Sequence, residues 1–230
     1  MACLCKDFTY KKNLKLLEIE KISLSSLDNE DNKWLTFENI ESIINKMDNI
    51  NHQTMLDYYY DMFILDALIG NTDRHNGNWD ILSDINNENS IYLCPIYDCG
   101  SSFLPLIADE DIPILNKKNV YFSICSAICD NGKRINYTTY LSNTQNENVK
   151  KALLRNLPKI NFNAIYKIIN DIDIISDIRK NMYFDFILER FNYILITSIE
   201  NIYNIKNISL SENVQSLDKK VLFNYYKNYK

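Results

Sequence analysis

The chain has 230 residues and a mass of 27.1 kDa, with 46% hydrophobic and 24% charged residues, a balance that lets one domain bury a core. Its formal net charge is −5 and Lys and Arg are scattered rather than clustered, so no phosphate-backbone footprint and no direct nucleic-acid binding are expected. Its apolar runs fall well short of the roughly 20 residues that span a bilayer, and Met1–Asp7 lacks a signal-peptide pattern, so a cytoplasmic protein without membrane contact is the expectation.

The six cysteines, Cys3, Cys5, Cys94, Cys99, Cys125 and Cys129, include no Cys-x-x-Cys pair, and only His52 and His75 could join them. Free, reduced thiols acting as small hydrophobes are expected. A zinc site on Cys125 and Cys129 is the lesser alternative.

In chain order, residues 1–35 read as an irregular or strand-like lead-in segment, with Cys3–Phe8 extended and Leu14–Leu24 apolar without a firm period. Thr36 predicts the cap of a helix running to Met47, with Ile40, Ile43, Ile44 and Met47 on one face. Asn49 and Asn51 break it. The spacing of Met55, Tyr59, Met62, Phe63, Asp66 and Ile69 predicts a second helix over His52–Ile69, ended by a left-handed Gly70. Trp79–Ser83 and Ser90–Cys94 read as strands of a hairpin, joined by the polar turn Asp84–Asn89. Asp109–Ala127 is ambiguous, and Asp130–Lys133 is a turn. From Tyr137 onward the chain reads as helical, with segments near 146–156, 161–170, 176–205 and 211–229. Core stripes run along Ile165, Ile168, Ile169 and Ile172, and along Phe184, Ile187, Leu188, Phe191 and Leu195. With no repeat and no Pro-, Gly- or Ser-rich linker, a single domain over 1–230 is favoured, with a functional core at 36–105 and a helical remainder at 106–230.

The chemistry concentrates in Asn71-Thr72-Asp73-Arg74-His75-Asn76-Gly77-Asn78 and Pro95-Ile96-Tyr97-Asp98. An Asp, an Asn five positions later and a second Asp beyond a hairpin make the polar set of a phosphotransferase. One Asp accepts the substrate hydroxyl proton, while the Asn and the other Asp supply hard oxygens to Mg²⁺. A hairpin between them brings Asn78 and Asp98 to one point, with Asp73 on the same loop as the base. Arg74 or His75 either steadies the loop or contacts phosphate, and spacing does not choose between them. The bland readings are a chance Asp-x-x-x-x-Asn, a loop-capping Asp98 and a core histidine at position 75.

At Ile69-Gly70-Asn71-Thr72-Asp73-Arg74-His75 through Asn78, with Pro95-Ile96-Tyr97-Asp98, the sequence resembles the C-terminal catalytic lobe of HipA-like serine/threonine kinases, including the bacterial CtkA-type kinases. The Asp-Arg-His-x-x-Asn element is also similar to that of phosphatidylinositol kinases. The resemblance is specific over Tyr58–Leu104 and general elsewhere. It implies an α+β, predominantly α-helical kinase-like C-lobe whose short β-hairpin carries the metal site. It also implies ATP and Mg²⁺ as cofactors, Asp73 as catalytic base, Arg74 and His75 at the nucleotide, Asn78 and Asp98 as metal ligands, and a toxin–antitoxin setting. The implied reaction moves the ATP γ-phosphate to a protein Ser or Thr.

One departure stands out. Kinases of this type place a β-rich N-lobe with a phosphate-covering loop and a lysine ahead of the catalytic loop, yet the first glycine here is Gly70 and neither Lys6 nor Lys21 fits that role. The expectation is a catalytic lobe with its N-lobe largely missing, either one half of a split kinase completed by a small N-lobe-like partner subunit or a truncated remnant. The alternatives are a non-catalytic, antitoxin-like or regulatory binding module, and a phosphatidylinositol-type lipid kinase.

Overall fold

Asparagine does much of the punctuation in this fold. The computed structural model describes Asp7, Thr9, Lys21 and residues 12–19, 35–87 and 90–204. Within them Asn51, Asn116, Asn136, Asn146 and Asn161 each accept a backbone N–H at the start of a helix. A short carbonyl side chain satisfies the donors that a first turn leaves unpaired. The high Asn content, which reads as compositional bias, is thus put to structural use.

The lead-in contributes a strand, β1 (Leu14–Glu18). Helix α1 (Phe37–Asn45) is capped by Thr36, which accepts from Asn39 N at 3.2 Å, and it buries Ile40, Ile43 and Ile44. Helix α2 (His52–Ile69) ends at Gly70, whose φ of +69° is left-handed. This helix is buried nearly all round, with Tyr60, Ile64, Ala67 and Leu68 as deep as the predicted stripe. It packs against α1, α5 (Glu147–Asn156) and α7 (Asp177–Arg190), which makes it the axis of the molecule.

Strands β2 (Asp80–Asp84) and β3 (Ile91–Leu93) form the predicted hairpin, paired Ile81 to Leu93 and Ser83 to Ile91. β1 adds to its free edge in antiparallel register, Leu14 opposite Asp84 and Glu18 opposite Asp80, so the sheet order is β1-β2-β3. β1 takes the strand-like of the two readings for this stretch. Its alternation is weak because Leu14, Leu16 and Leu17 leave no clean period of two.

The ambiguous stretch resolves into a 3₁₀ turn at Asp109–Ile114 that contains Pro113, helix α3 (Lys117–Phe122) and strand β4 (Cys125–Asp130). β4 pairs with β5 (Lys133–Asn136) across Asn131 and Gly132, both at positive φ, a combination that suits a tight hairpin. Beyond β5 come α4 (Tyr137–Asn143), α5, α6 (Phe162–Asn170), α7, a π-helical turn at Phe191–Ile196 and α8 (Thr197–Tyr203). The stripe of α7 holds, with Phe184, Ile187, Leu188, Phe191 and Leu195 all buried. The stripe of α6 does not hold in full, because Ile169 is buried while Ile168 is exposed. Cys94, Cys99, Cys125 and Cys129 are free thiols, and the last two lie on β4 rather than on a helix. The extended reading of Cys3–Phe8 and the helix expected at 211–229 lie outside the described residues. Among the described residues, no helix is long and apolar enough to cross a membrane.

Candidate active site

The candidate loop starts where α2 stops. Gly70 N–H and Asn71 N–H both turn back to the Asp66 carbonyl, the latter at 3.0 Å. Asn71 is fully buried and joins four neighbours. Its Nδ2 donates to Asp66 Oδ1 at 2.8 Å and its Oδ1 accepts from Asp73 N at 3.2 Å and from Ser101 Oγ. Its carbonyl accepts the Tyr137 hydroxyl at 2.7 Å. Ser101 also accepts Thr72 N at 3.0 Å, which binds the segment after Asp98 to the segment before Asp73.

Arg74 is the strut of the site. Its Nε and Nη2 clasp the two Asp66 oxygens at 2.9 and 3.0 Å. Nη1 donates to Asn78 O and, at 2.6 Å, to Tyr97 O, while Nη2 also donates to Cys99 Sγ at 3.3 Å. A guanidinium has five N–H donors, and here all five are spent inside a site that leaves Arg74 only 2% exposed. With its donors so used, Arg74 fits the loop-steadying one of the two roles that the sequence leaves open. Burial disfavours both charges of the pair. It pushes the Asp66 carboxyl above its ordinary value despite the bonds from Arg74 and Asn71, whereas the hydrogen bonds and attraction of Asp66 outweigh burial at Arg74 and hold its pKa above the usual value.

One nitrogen of that strut holds the carbonyls of Asn78 and Tyr97 together, so the residues just before β2 and just after β3 do converge. Tyr97 is fixed further by its hydroxyl, which donates to the buried Asp80 at 2.5 Å, while the other Asp80 oxygen accepts Ile19 N beyond β1 at 2.9 Å. Burial and the Asp80 bond push the Tyr97 phenol well above its ordinary pKa, so it stays a donor.

Asn78 is buried, and its Nδ2 donates to the Asp73 carbonyl at 2.7 Å. The donor end of the amide is thereby committed inward, and its Oδ1 has no partner among the described residues. Asp98 is exposed with φ +50°, a left-handed backbone that costs a non-glycine residue energy and is held by its surroundings. Its carboxylate also has no partner among the described residues. Asp73 is exposed, and His75 Nε2 lies 4.0 Å from Asp73 Oδ2. His75 Nδ1 accepts Gly77 N at 3.0 Å, which places the proton of a neutral ring on Nε2, toward Asp73. His75 is therefore a surface residue of the loop and not a core histidine.

Among the described residues no group of three or more His, Cys, Asp or Glu side chains is poised for a metal. An amide oxygen and a carboxylate are hard oxygen donors of the kind Mg²⁺ takes beside phosphate and water, and neither has a partner among the described residues. The sequence pointed to Asp73, Asn78 and Asp98 but gave no role to Asp66, Asn71, Tyr97 or Ser101, which hold them. An Asp on the apolar stripe of α2 was the available signal, since a buried carboxylate implies a buried cation.

No family model matches the chain. It is 33% identical over 196 residues to the serine/threonine-protein kinase CtkA of Helicobacter pylori, covering 81% of this chain and 59% of that protein. The chain thus spans about 59% of the length of this curated relative. The crystal structure of a Helicobacter pylori proinflammatory kinase CtkA matches with a TM-score of 0.78 at 30% identity, covering 87% of this chain and 75% of the other. Sequence and fold agree over the bulk of the chain, and the chain belongs to the CtkA-type serine/threonine kinases.

Proposed function

We propose that this chain carries out the phosphoryl-transfer half of a protein kinase, moving the γ-phosphate of ATP to a Ser or Thr hydroxyl with Mg²⁺. The observation that carries this reading is the state of Asn78, whose amide nitrogen is bound to the Asp73 carbonyl, leaving its oxygen free beside the loop of Asp98. In this reading the amide oxygen of Asn78 and the carboxylate of Asp98 act together on the metal, and Asp73 keeps an exposed carboxylate. Asn78 and Asp98 would hold Mg²⁺, which neutralises charge on the phosphates as the transfer proceeds. Asp73 receives the proton of the attacking hydroxyl, and His75 Nε2, facing Asp73 across 4.0 Å, orients that carboxylate or contacts phosphate.

We further propose that a small N-lobe-like unit, supplied as a partner, covers the nucleotide from the side of the three-stranded sheet. The test is transfer from γ-labelled ATP to mixed protein acceptors and, separately, to phosphatidylinositol vesicles. Wild type should label protein Ser and Thr, and Asp73→Asn should lose about 10²–10⁴-fold of the rate, the usual worth of a general base, while still binding nucleotide. Label appearing in lipid alone would move the reading to a lipid kinase, and transfer undiminished in Asp73→Asn would remove Asp73 as the base.

A further inference from the structure

The peptide plane between Thr72 and Asp73 fixes where the Asp73 carboxylate points, because its tilt sets the backbone of Asp73. Two bonds hold that plane. On one side Asp73 N–H donates to Asn71 Oδ1 at 3.2 Å, within the loop. On the other side Thr72 O accepts from Nη2 of Arg134, which lies 62 residues away on β5. The same guanidinium donates through Nε to Ser126 O on β4 at 2.6 Å. Arg134 therefore clamps the β4–β5 hairpin to the carbonyl that precedes the candidate base. A planar fork suits this task, because it reaches two carbonyls at once in one fixed geometry.

Arg134 also lines a cleft of about 680 Å³ together with Lys133, Asp130, Glu38 and the start of α4. Its guanidinium is thus the point at which the wall of this cleft meets the loop of Asp73. The residue is exposed, and Thr72 is half-buried. Water can replace the bond at Thr72 O if Arg134 is removed, so the cost to folding is small. The cost to alignment is not small, since displacing a reacting group by about 1 Å costs on the order of 10² in rate.

We propose that Arg134 is a positioning residue for phosphoryl transfer, setting the orientation of Asp73 through the Thr72 carbonyl. The proposal rests on the kinase reading for its effect on rate, but its structural content is independent of that reading. The experiment compares wild type with Arg134→Ala and Arg134→Lys by amide hydrogen exchange over residues 71–78, by Mg²⁺-dependent ATP binding, and by transfer rate. Both variants should unfold at the wild-type temperature and bind ATP within about twofold of wild type. Both should exchange about tenfold faster at residues 72–75, with kcat down about 10- to 100-fold. Lys should not rescue, because one ammonium carries the charge but not the two-carbonyl bridge.

Unchanged exchange in Arg134→Ala overturns the proposal, and so does full recovery of kcat in Arg134→Lys, which would make charge alone the requirement. If wild type transfers no phosphate at all, the kinase reading fails, and the exchange comparison still decides whether Arg134 orders the Asp73 loop.

Discussion

Arg74 sets the scale of what one residue does here. Its guanidinium and the Asp66 carboxylate lie at 2% and 1% exposure, where an ion pair survives only when every donor and acceptor is matched. Removing one partner leaves a bare buried charge, so Arg74→Ala should lose about 3–5 kcal/mol of stability. Urea unfolding followed by fluorescence of Trp79, which is buried against Tyr59, measures this directly. A loss under about 1 kcal/mol would show that the strut is dispensable. The sequence left Arg74 and His75 open between steadying the loop and contacting phosphate. Which of them turned inward was not legible there, because it depends on Asp66, one helical turn before Gly70, and on Tyr97 and Cys99 beyond the hairpin. Asp73, Asn78 and Asp98 drew attention in the sequence because of their spacing. Asp66 and Asn71 were hidden by their places in an apolar helix and a loop that reads as generic.

At the scale of elements, the junction of α2 with its loop is the most constrained point. Gly70 is left-handed at φ +69°, and a Cβ there would meet Phe186 Cζ at 2.7 Å and Ile124 Cδ1 at 3.0 Å. Gly70→Ala should cost about 1–2 kcal/mol for the backbone alone, with further loss from displacing the Phe186 ring. A thermal melt should show the shift, and an unchanged midpoint would mean that the turn relaxes without penalty. Arg190, buried in α7, supports the same junction by donating to Ala67 O at 2.9 Å and to Tyr121 O, while its guanidinium lies 5.8 Å from the Tyr137 ring centre. Tyr137 in turn holds Asn71. The long helices and their caps were readable because a period of 3.6 and an Asn or Ser before it are local signals. The hairpin β4–β5 was read only as its turn, Asp130–Lys133, since its strands are short and bulged. The missed hairpin carries Arg134, so the residue that steadies Asp73 from a distance escaped with it.

For the whole molecule, three stretches far apart in sequence meet around one loop. β1 and the Asp80–Tyr97 bond hold the sheet, Arg74 holds the two ends of the hairpin together, and Ser101, Tyr137 and Arg134 hold Asn71 and Thr72 from the other side. Together these bonds hold the loop of Asp73 and Asn78 and the turn of Asp98, where Asn78 Oδ1 and the Asp98 carboxylate have no partner among the described residues and Asp73 is exposed. The family match places this frame among CtkA-type kinases, and the central claim is that its two free oxygens form a working metal–phosphate site. Calorimetric titration of ATP across a series of Mg²⁺ concentrations, wild type against Asp98→Asn, tests it most directly. The account predicts binding that tightens with Mg²⁺ in wild type and loses most of that dependence in Asp98→Asn, by about tenfold or more in affinity, equivalent to about 1.4 kcal/mol. Equal affinity for the two proteins at every Mg²⁺ concentration would contradict it.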